Sequence, residues 1–215
     1  MESKTHTIDE LSQIVAQIAR DTPEGERKIL AIAGAPGSGK STLVETLANT
    51  LSASYPGCSA VLPMDGFHFD DEVLIPRGWR DRKGAPHTFD VGGLKSVLMR
   101  LRNNEEEYVA VPRFDRSIEI ARAGALIIDR SVRLILAEGN YLLLNEPPWN
   151  CLAPLFDNTV MIKTSEATLI NRLKKRWIDY ELDDAAIRKK LEENDLPNGR
   201  LVYRNSQQPD FILST

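Results

Sequence analysis

The stretch Gly34-Ala35-Pro36-Gly37-Ser38-Gly39-Lys40-Ser41 constrains this chain more than any other. A glycine, four intervening residues, Gly-Lys and a hydroxyl residue describe a loop whose consecutive backbone N–H groups turn inward around a phosphate. Lys40 in that pattern reaches the outer phosphates of a nucleotide, the Ser41 hydroxyl can ligate Mg²⁺, and Thr42 extends the cradle by one more residue. The five residues before the loop, Ile29-Leu30-Ala31-Ile32-Ala33, form an unbroken apolar run that reads as a buried strand aimed into it. After Ser41, Leu43, Leu47 and Leu51 recur every fourth residue, which predicts a helix whose N-terminal dipole faces the bound anion. Strand, loop and helix in that order form a unit of parallel α/β sheets.

The remaining apolar runs extend the same reading. Ala60-Val61-Leu62, Tyr108-Val109-Ala110-Val111, Leu134-Ile135-Leu136-Ala137, Thr159-Val160-Met161-Ile162 and Phe211-Ile212-Leu213 read as strands covered on both faces. Helical patterns lie between them at Val91 to Leu101, Ala167 to Trp177 and Asp183 to Glu193, and Ile8, Leu11, Ile14, Val15 and Ile18 predict an opening amphipathic helix that stops before Thr22-Pro23-Glu24-Gly25. Strand–helix alternation of this kind predicts an α/β fold with a mainly parallel, doubly wound sheet. A chain of 215 residues with 42% hydrophobic residues suits one such domain over 1–215. Asp65 to Asp90 breaks the pattern: it is rich in Gly, Pro, Arg, Asp and aromatics, and loops that long in a compact domain usually carry function.

Net charge and cysteine content narrow the partners. A formal charge of -4 argues against a dedicated nucleic-acid binder, which needs a basic surplus, although a nucleotide requires only a local patch. Cys58 and Cys151 are far apart and joined to no histidine cluster, so neither a disulfide framework nor a zinc site is expected, and a reducing cytoplasm fits. Met1-Glu2-Ser3-Lys4-Thr5-His6 lacks a charged start followed by an apolar core, and no segment approaches the length of a membrane span. A soluble intracellular protein, as a monomer or a homodimer, is the expectation.

Three polar groups fall at the C-terminal ends of predicted strands: the loop after Ala33, Asp65 after Leu62-Pro63-Met64, and Glu138 after Ala137. In an open parallel sheet those ends share one edge, where ligands bind, so the three are expected to converge. Glu138 is placed to hold Mg²⁺ or one of its waters, the alternative being a solvated strand-end acid. Asp65 is placed to accept the proton of a hydroxyl or to hold it in line with a γ-phosphate; the alternative is a turn former, since Asp-Gly is a common turn pair. Arg172, Lys175 and Arg176 share a helix face and could stabilise charge on a transferring phosphoryl group, or could simply be solvated. Asp90-Val91-Gly92-Gly93 mimics a GTPase switch, but Ala85-Pro86-His87-Thr88-Phe89 is no buried strand and no Asn-Lys-x-Asp is present. Asp90 reads instead as the N-cap of the next helix. His68 and His87 lack metal-ligand spacing and read as loop or surface histidines.

With Pro63-Met64-Asp65-Gly66-Phe67-His68, Arg82-Lys83-Gly84-Ala85-Pro86-His87-Thr88-Phe89-Asp90, Pro112-Arg113-Phe114-Asp115-Arg116 and Glu138-Gly139-Asn140-Tyr141-Leu142-Leu143-Leu144, the chain resembles the P-loop kinases of the phosphoribulokinase, uridine kinase and bacterial pantothenate kinase superfamily. Within it, the chain is most similar to the subgroup labelled fructose transport system kinases or nucleoside/nucleotide kinase-like proteins. The resemblance runs over most of the chain. It implies a P-loop NTPase three-layer sandwich with a helical lid over 165–195, an acceptor-binding loop over 66–90, and ATP and Mg²⁺ as cofactors. It further implies Asp65 as catalytic aspartate, Lys40 with lid arginines Arg172 and Arg176 in catalysis, Gly34 to Thr42 around the nucleotide, and Ser41 and Glu138 at the metal.

The acceptor-pocket candidates are His68, Arg77, Arg82, Lys83, Arg113 and Arg116. That many cations suggest an acceptor bearing a carboxylate or phosphate, with a neutral sugar such as fructose still open. Uridine kinases have Tyr-Asp-Phe and then a base-reading histidine where this chain has Phe114-Asp115-Arg116 and then Glu119, which argues against uridine. Pantothenate kinases are longer and differ in this region. The rival readings are a nucleoside or pantothenate-type kinase, and an ATP-binding regulatory protein of a transport system.

Overall fold

A computed structural model describes residues 4–215 of the chain. The expectation drawn from the start of the chain falls partly on residues 1–3, outside the described residues. Strand β1 (Lys4–His6) leads into helix α1 (Ile8–Asp21), and β2 (Lys28–Gly34) runs through the glycine-rich loop into α2 (Lys40–Ser54). Then come β3 (Ser59–Pro63), a 3₁₀ turn (Met64–Phe67), the single turn α3 (Asp71–Leu74) and α4 (Val91–Asn103). A hairpin of β4 (Tyr108–Asp115) and β5 (Ile120–Asp129) precedes β6 (Leu134–Gly139) and β7 (Asn158–Lys163). The helical arm comes next as α5 (Glu166–Asp179), α6 (Asp184–Lys190), a π-turn (Leu191–Asp195) and α7 (Leu196–Asn205), and β8 (Phe211–Ser214) ends the described fold.

Six strands form one sheet in the order β1-β8-β7-β2-β6-β3, every pairing parallel. Alternation along the strands sorts residues into two cores. Leu30, Ile32, Leu134, Leu136, Val160 and Ile162 face Leu11 and Val15 of α1 and Leu43, Leu47 and Leu51 of α2. Ile29, Ala31, Ala33, Ile135 and Ala137 face the other way, onto α4 through Leu94, Val97, Leu98 and Leu101, and onto Trp149 and Tyr141. This is the expected three-layer α/β fold. A smaller cluster ties the arm to the loop: Leu169, Leu173, Ile187 and Leu191 pack on Ala35.

The register fixes the level at which each strand ends. Pro63 pairs with Glu138, and Glu138 pairs with Ile32, so Asp65 two residues past Pro63 and Gly34 two residues past Ile32 emerge beside Glu138 on one edge. The capping expectation for Asp90 also holds: its carboxylate accepts from Gly93 N–H at 2.8 Å, and Pro86–Thr88 is a 3₁₀ turn.

Three elements differ from expectation. Tyr108–Val111 is a strand but not one of the parallel sheet; β4 pairs antiparallel with β5 as a separate two-stranded ribbon. Its alternation, with Val109 and Val111 buried and Tyr108 and Ala110 exposed, belongs to a strand covered on one face. Strand β5 is not among the expected strands: Ala125-Leu126-Ile127-Ile128 carries an apolar run, but Arg122, Ala123 and Gly124 leave the first half of the strand without one. The helix expected over Asp183 to Glu193 widens at Leu191–Asp195 into a π-turn and continues as α7. Pro197 lacks the N–H that would bond to Glu193 O, and the ladder adjusts in the turn before it. Among the described residues no helix is long and apolar enough to cross a membrane.

Candidate active site

The turn after β2 builds an anion cradle. Gly37 and Gly39 take φ of 77° and 94°, a left-handed backbone costly for residues with a Cβ, and this bends the chain so that α2 begins directly at Lys40. The first turn of α2 carries no acidic side chain, leaving its unpaired N–H groups to an external anion. Lys40 Nζ is buried, donating among the described residues to Gly34 O at 3.1 Å and Ala35 O at 3.0 Å. Burial pushes its pKa down to about 8, against the opposing charges of Glu138 and Asp65. Ser38 Oγ is buried with no hydrogen-bond partner among the described residues. A desolvated ammonium without a hydrogen-bonded carboxylate and an orphaned hydroxyl are both features that a bound polyphosphate completes.

Asp65 sits in the 3₁₀ turn after β3, and its Oδ2 accepts from Arg116 Nη2 at 2.6 Å. Burial alone would raise this carboxyl; the cations facing it, His68 when protonated, Arg116, Lys40 and Arg176, hold it below its ordinary value. Glu138, at the end of β6, responds oppositely: burial and the Asp65 charge push it up to about 7, outweighing Lys40 and Arg116. Two acids compete here for the same cations, and Arg116 bonds to only one. Ser41 and Glu138 both line the crevice, offering the hard oxygen donors that Mg²⁺ takes alongside phosphate oxygens and waters.

His68 is held tightly. Its ring lies between Phe89 and Phe114, with centroids 4.0 and 4.7 Å away, and Nδ1 donates to the backbone oxygen of Asp65 at 2.7 Å. Since a carbonyl only accepts, Nδ1 carries the proton. Burial lowers the His68 pKa, which leaves the neutral ring with an accepting lone pair on Nε2.

A crevice of about 140 Å³ brings Lys40, Ser41, Asp65, His68, Lys83, Arg116, Glu138 and Arg176 together. Lys83 is buried and spans from Asp71 Oδ1 (2.7 Å) to Glu119 O (2.8 Å). Arg172 lies above the cradle, donating to Ser38 O at 3.2 Å and Thr215 Oγ1 at 3.4 Å, and helps line a second cavity of about 530 Å³ with Thr46, Ile8 and Leu213. Lys175 points away and pairs with Asp179 in solvent.

Three of the arginines expected at the acceptor do not line this crevice. Arg77 is outside the crevice: it donates to Val73 O and stands over the Trp79 ring at 5.6 Å, because the chain turns outward through Gly78. Arg82 is turned onto the arm, toward Asn194 Oδ1 at 3.3 Å and Asn198 Oδ1 at 3.4 Å. Arg113 lines a larger cavity that shares Asp65, Phe114 and Glu138 with the crevice.

Other crevice residues were not anticipated: Arg80, Asn140, Trp177, Lys190, Asn194 and Asp195. A sequence signal does exist on the arm. The apolar stripe Ile187, Leu191, Val202 is interrupted at Asp195 and Asn198, polar residues where helical spacing demands burial. Asp195 is buried and accepts from Trp177 Nε1 at 2.8 Å.

The placement of Asp65 depends on Gly66. A Cβ there would stand 2.4 Å from Pro112 O, a backbone atom of the hairpin. Gly66→Ala is therefore expected to force the 3₁₀ turn and β4 apart and to destabilise the fold by roughly 1–3 kcal/mol, read as a lower melting temperature by calorimetry.

No model of a known protein family matches the chain. Individual proteins do. It is 31% identical over 196 residues to the "putative uridine kinase C227.14" of Schizosaccharomyces pombe, spanning 87% of this chain and 83% of that protein. It is 33% identical over 205 residues to the uncharacterized protein YggC of Escherichia coli K12, spanning 94% and 84%. Among solved structures, the "putative fructose transport system kinase" from Silicibacter sp. TM1040 superposes with a TM-score of 0.86 at 40% identity, covering 98% of this chain and 99% of that one.

Proposed function

This chain belongs to the P-loop kinases of the phosphoribulokinase, uridine kinase and pantothenate kinase superfamily, and from that premise we propose that it transfers the γ-phosphate of ATP to a hydroxyl of a small polar metabolite bearing a carboxylate or phosphate. The observation that carries this reading is the convergence of the cradle, Asp65 and Glu138 on one crevice walled by cations. Backbone N–H groups of the loop and Lys40 hold the β- and γ-phosphates, and the cavity beside Arg172 and Thr46 accommodates the nucleoside. Ser41 and Glu138 hold Mg²⁺, which when bound offsets charge on the phosphates. Asp65 orients the acceptor hydroxyl and takes its proton, while Arg176, on the lid formed by the arm, faces the transferring phosphoryl group. His68 Nε2, as an acceptor, suits a second hydroxyl of the substrate, and Lys83 and Lys190 suit its anionic end.

The test is ADP release with ATP and Mg²⁺ across sugars, sugar acids, sugar phosphates, nucleosides and hydroxylated vitamins. Hydroxylated anions are expected to give the highest kcat/KM. Nucleotide binding with no acceptor-dependent turnover across that panel would favour the regulatory reading instead.

A further inference from the structure

Two cavities meet at Asp65. One is the crevice; the other, about 810 Å³, opens between α2, β3 and β5. Ser41, Asp65, Phe114, Arg116 and Glu138 line both, so Arg116 and Phe114, projecting from the hairpin, stand where the two spaces join. Resting on the kinase reading, we propose that Arg116 is a positioning residue that withholds Asp65 from water until an anionic acceptor draws its guanidinium away, so that the enzyme discriminates acceptor from solvent.

The geometry supports a movable restraint and not a fixed strut. The Asp65 side chain is 24% exposed and that of Arg116 is 53% exposed, so the guanidinium is the more solvent-open partner of the pair. Arg116 belongs to the short turn between Asp115 and Ile120, which holds itself together without it: Asp115 Oδ1 accepts from Ser117 N–H at 3.1 Å and Ser117 Oγ at 2.6 Å, and Asp115 Oδ2 accepts from Arg122. While paired with Asp65 the guanidinium also lies 5.9 Å from the Phe114 centroid, so the ring stays beside it at the mouth of the crevice. The guanidinium fork matches carboxylate and phosphate groups, so an acceptor of that class competes directly with Asp65 for it.

The restraint matters because the larger cavity is open and brings solvent to the same carboxylate. With Asp65 free and ATP bound, a water oxygen would form a bond to the γ-phosphorus as the bond from that phosphorus to the bridging oxygen breaks. ADP would leave with the electron pair, and the water proton would pass to Asp65. Pairing with Arg116 occupies Oδ2 and makes the carboxylate a weaker base, which slows that step.

The experiment needs no acceptor: ADP release at saturating ATP and Mg²⁺ is compared for the native chain, Arg116→Gln, Arg116→Ala, Arg116→Lys and the double variant Arg116→Gln/Asp65→Asn. Both neutral substitutions are expected to raise hydrolysis about tenfold, the scale of one charge-assisted hydrogen bond, with the KM for ATP unchanged. Lysine should restore most of the suppression, and the double variant should fall back to the native rate or below. Rates at or below native in both neutral variants overturn the proposal and assign Arg116 to the transferring phosphoryl group or to the fold. A rise that persists in the double variant also overturns it, because Asp65 would not be the group released. Neither result bears on the acceptor panel, which tests the kinase reading separately.

Discussion

Asp65→Asn is expected to lower acceptor-dependent ADP formation by about 10³-fold, within the range lost when a positioned general base is removed. The substitution keeps the shape of the side chain and an oxygen that can still accept a hydrogen bond from Arg116, but the amide cannot take a proton. The phosphate cradle, built from β2, the loop and α2, does not touch that side chain by any hydrogen bond, so the dissociation constant for ATP should change little. Single-turnover kinetics with a saturating acceptor, beside nucleotide titration, separate the two quantities. Retention of activity within tenfold would remove Asp65 from the chemistry and return it to a turn-forming role.

Glu138→Gln should move stability and activity in opposite directions. An acid whose pKa rises from 4.5 unfolded to about 7 folded binds more protons in the folded state between those values, so stability falls as pH rises through that window. Well above pH 7 the ionised form is carried at a cost on the order of 3 kcal/mol, which glutamine does not incur. Without nucleotide at pH 8, the variant should therefore melt higher, by roughly 6–12 °C for a chain this size. At pH 5 the advantage should shrink. Activity with Mg²⁺ should fall by about 10²-fold, since the amide is a poor partner for the cation or its waters. Melting curves at both pH values, with kcat at saturating Mg²⁺, check the pair of effects; an unchanged melting temperature at pH 8 would mean that Glu138 reaches water freely.

How much the residues disclose depends on how locally each feature is encoded. The strand ending at Ala33, the loop and α2 are contiguous, and their backbone needs specific glycines, so sequence and geometry coincide. Asp65 and Glu138 were legible because parallel strands end on one edge, and the pairing of Pro63 with Glu138 puts them level. The roles of the arginines were not legible in that way. Arg77, Arg80 and Arg82 lie within six residues in one loop, yet the first points outward, the second lines the crevice and the third reaches the arm. Those differences arise from short turns and from partners more than a hundred positions away, which no periodicity records. The hairpin was half legible: Val109 and Val111 marked β4, whereas in β5 the run Ala125-Leu126-Ile127-Ile128 follows Arg122 and Gly124, which break the strand pattern before it.

The contacts from Arg82 to Asn194 and Asn198, with Asn194 Nδ2 donating to Lys83 O at 3.1 Å, bolt loop 66–90 to the π-turn of the arm. Selectivity in this protein is thus not portable in one piece. A chimera that grafts the loop of a relative while keeping the native arm leaves two buried asparagines unmatched, whereas exchanging the loop and residues 187–205 together preserves the joint. Redesign of the acceptor should treat those two segments as a single cassette.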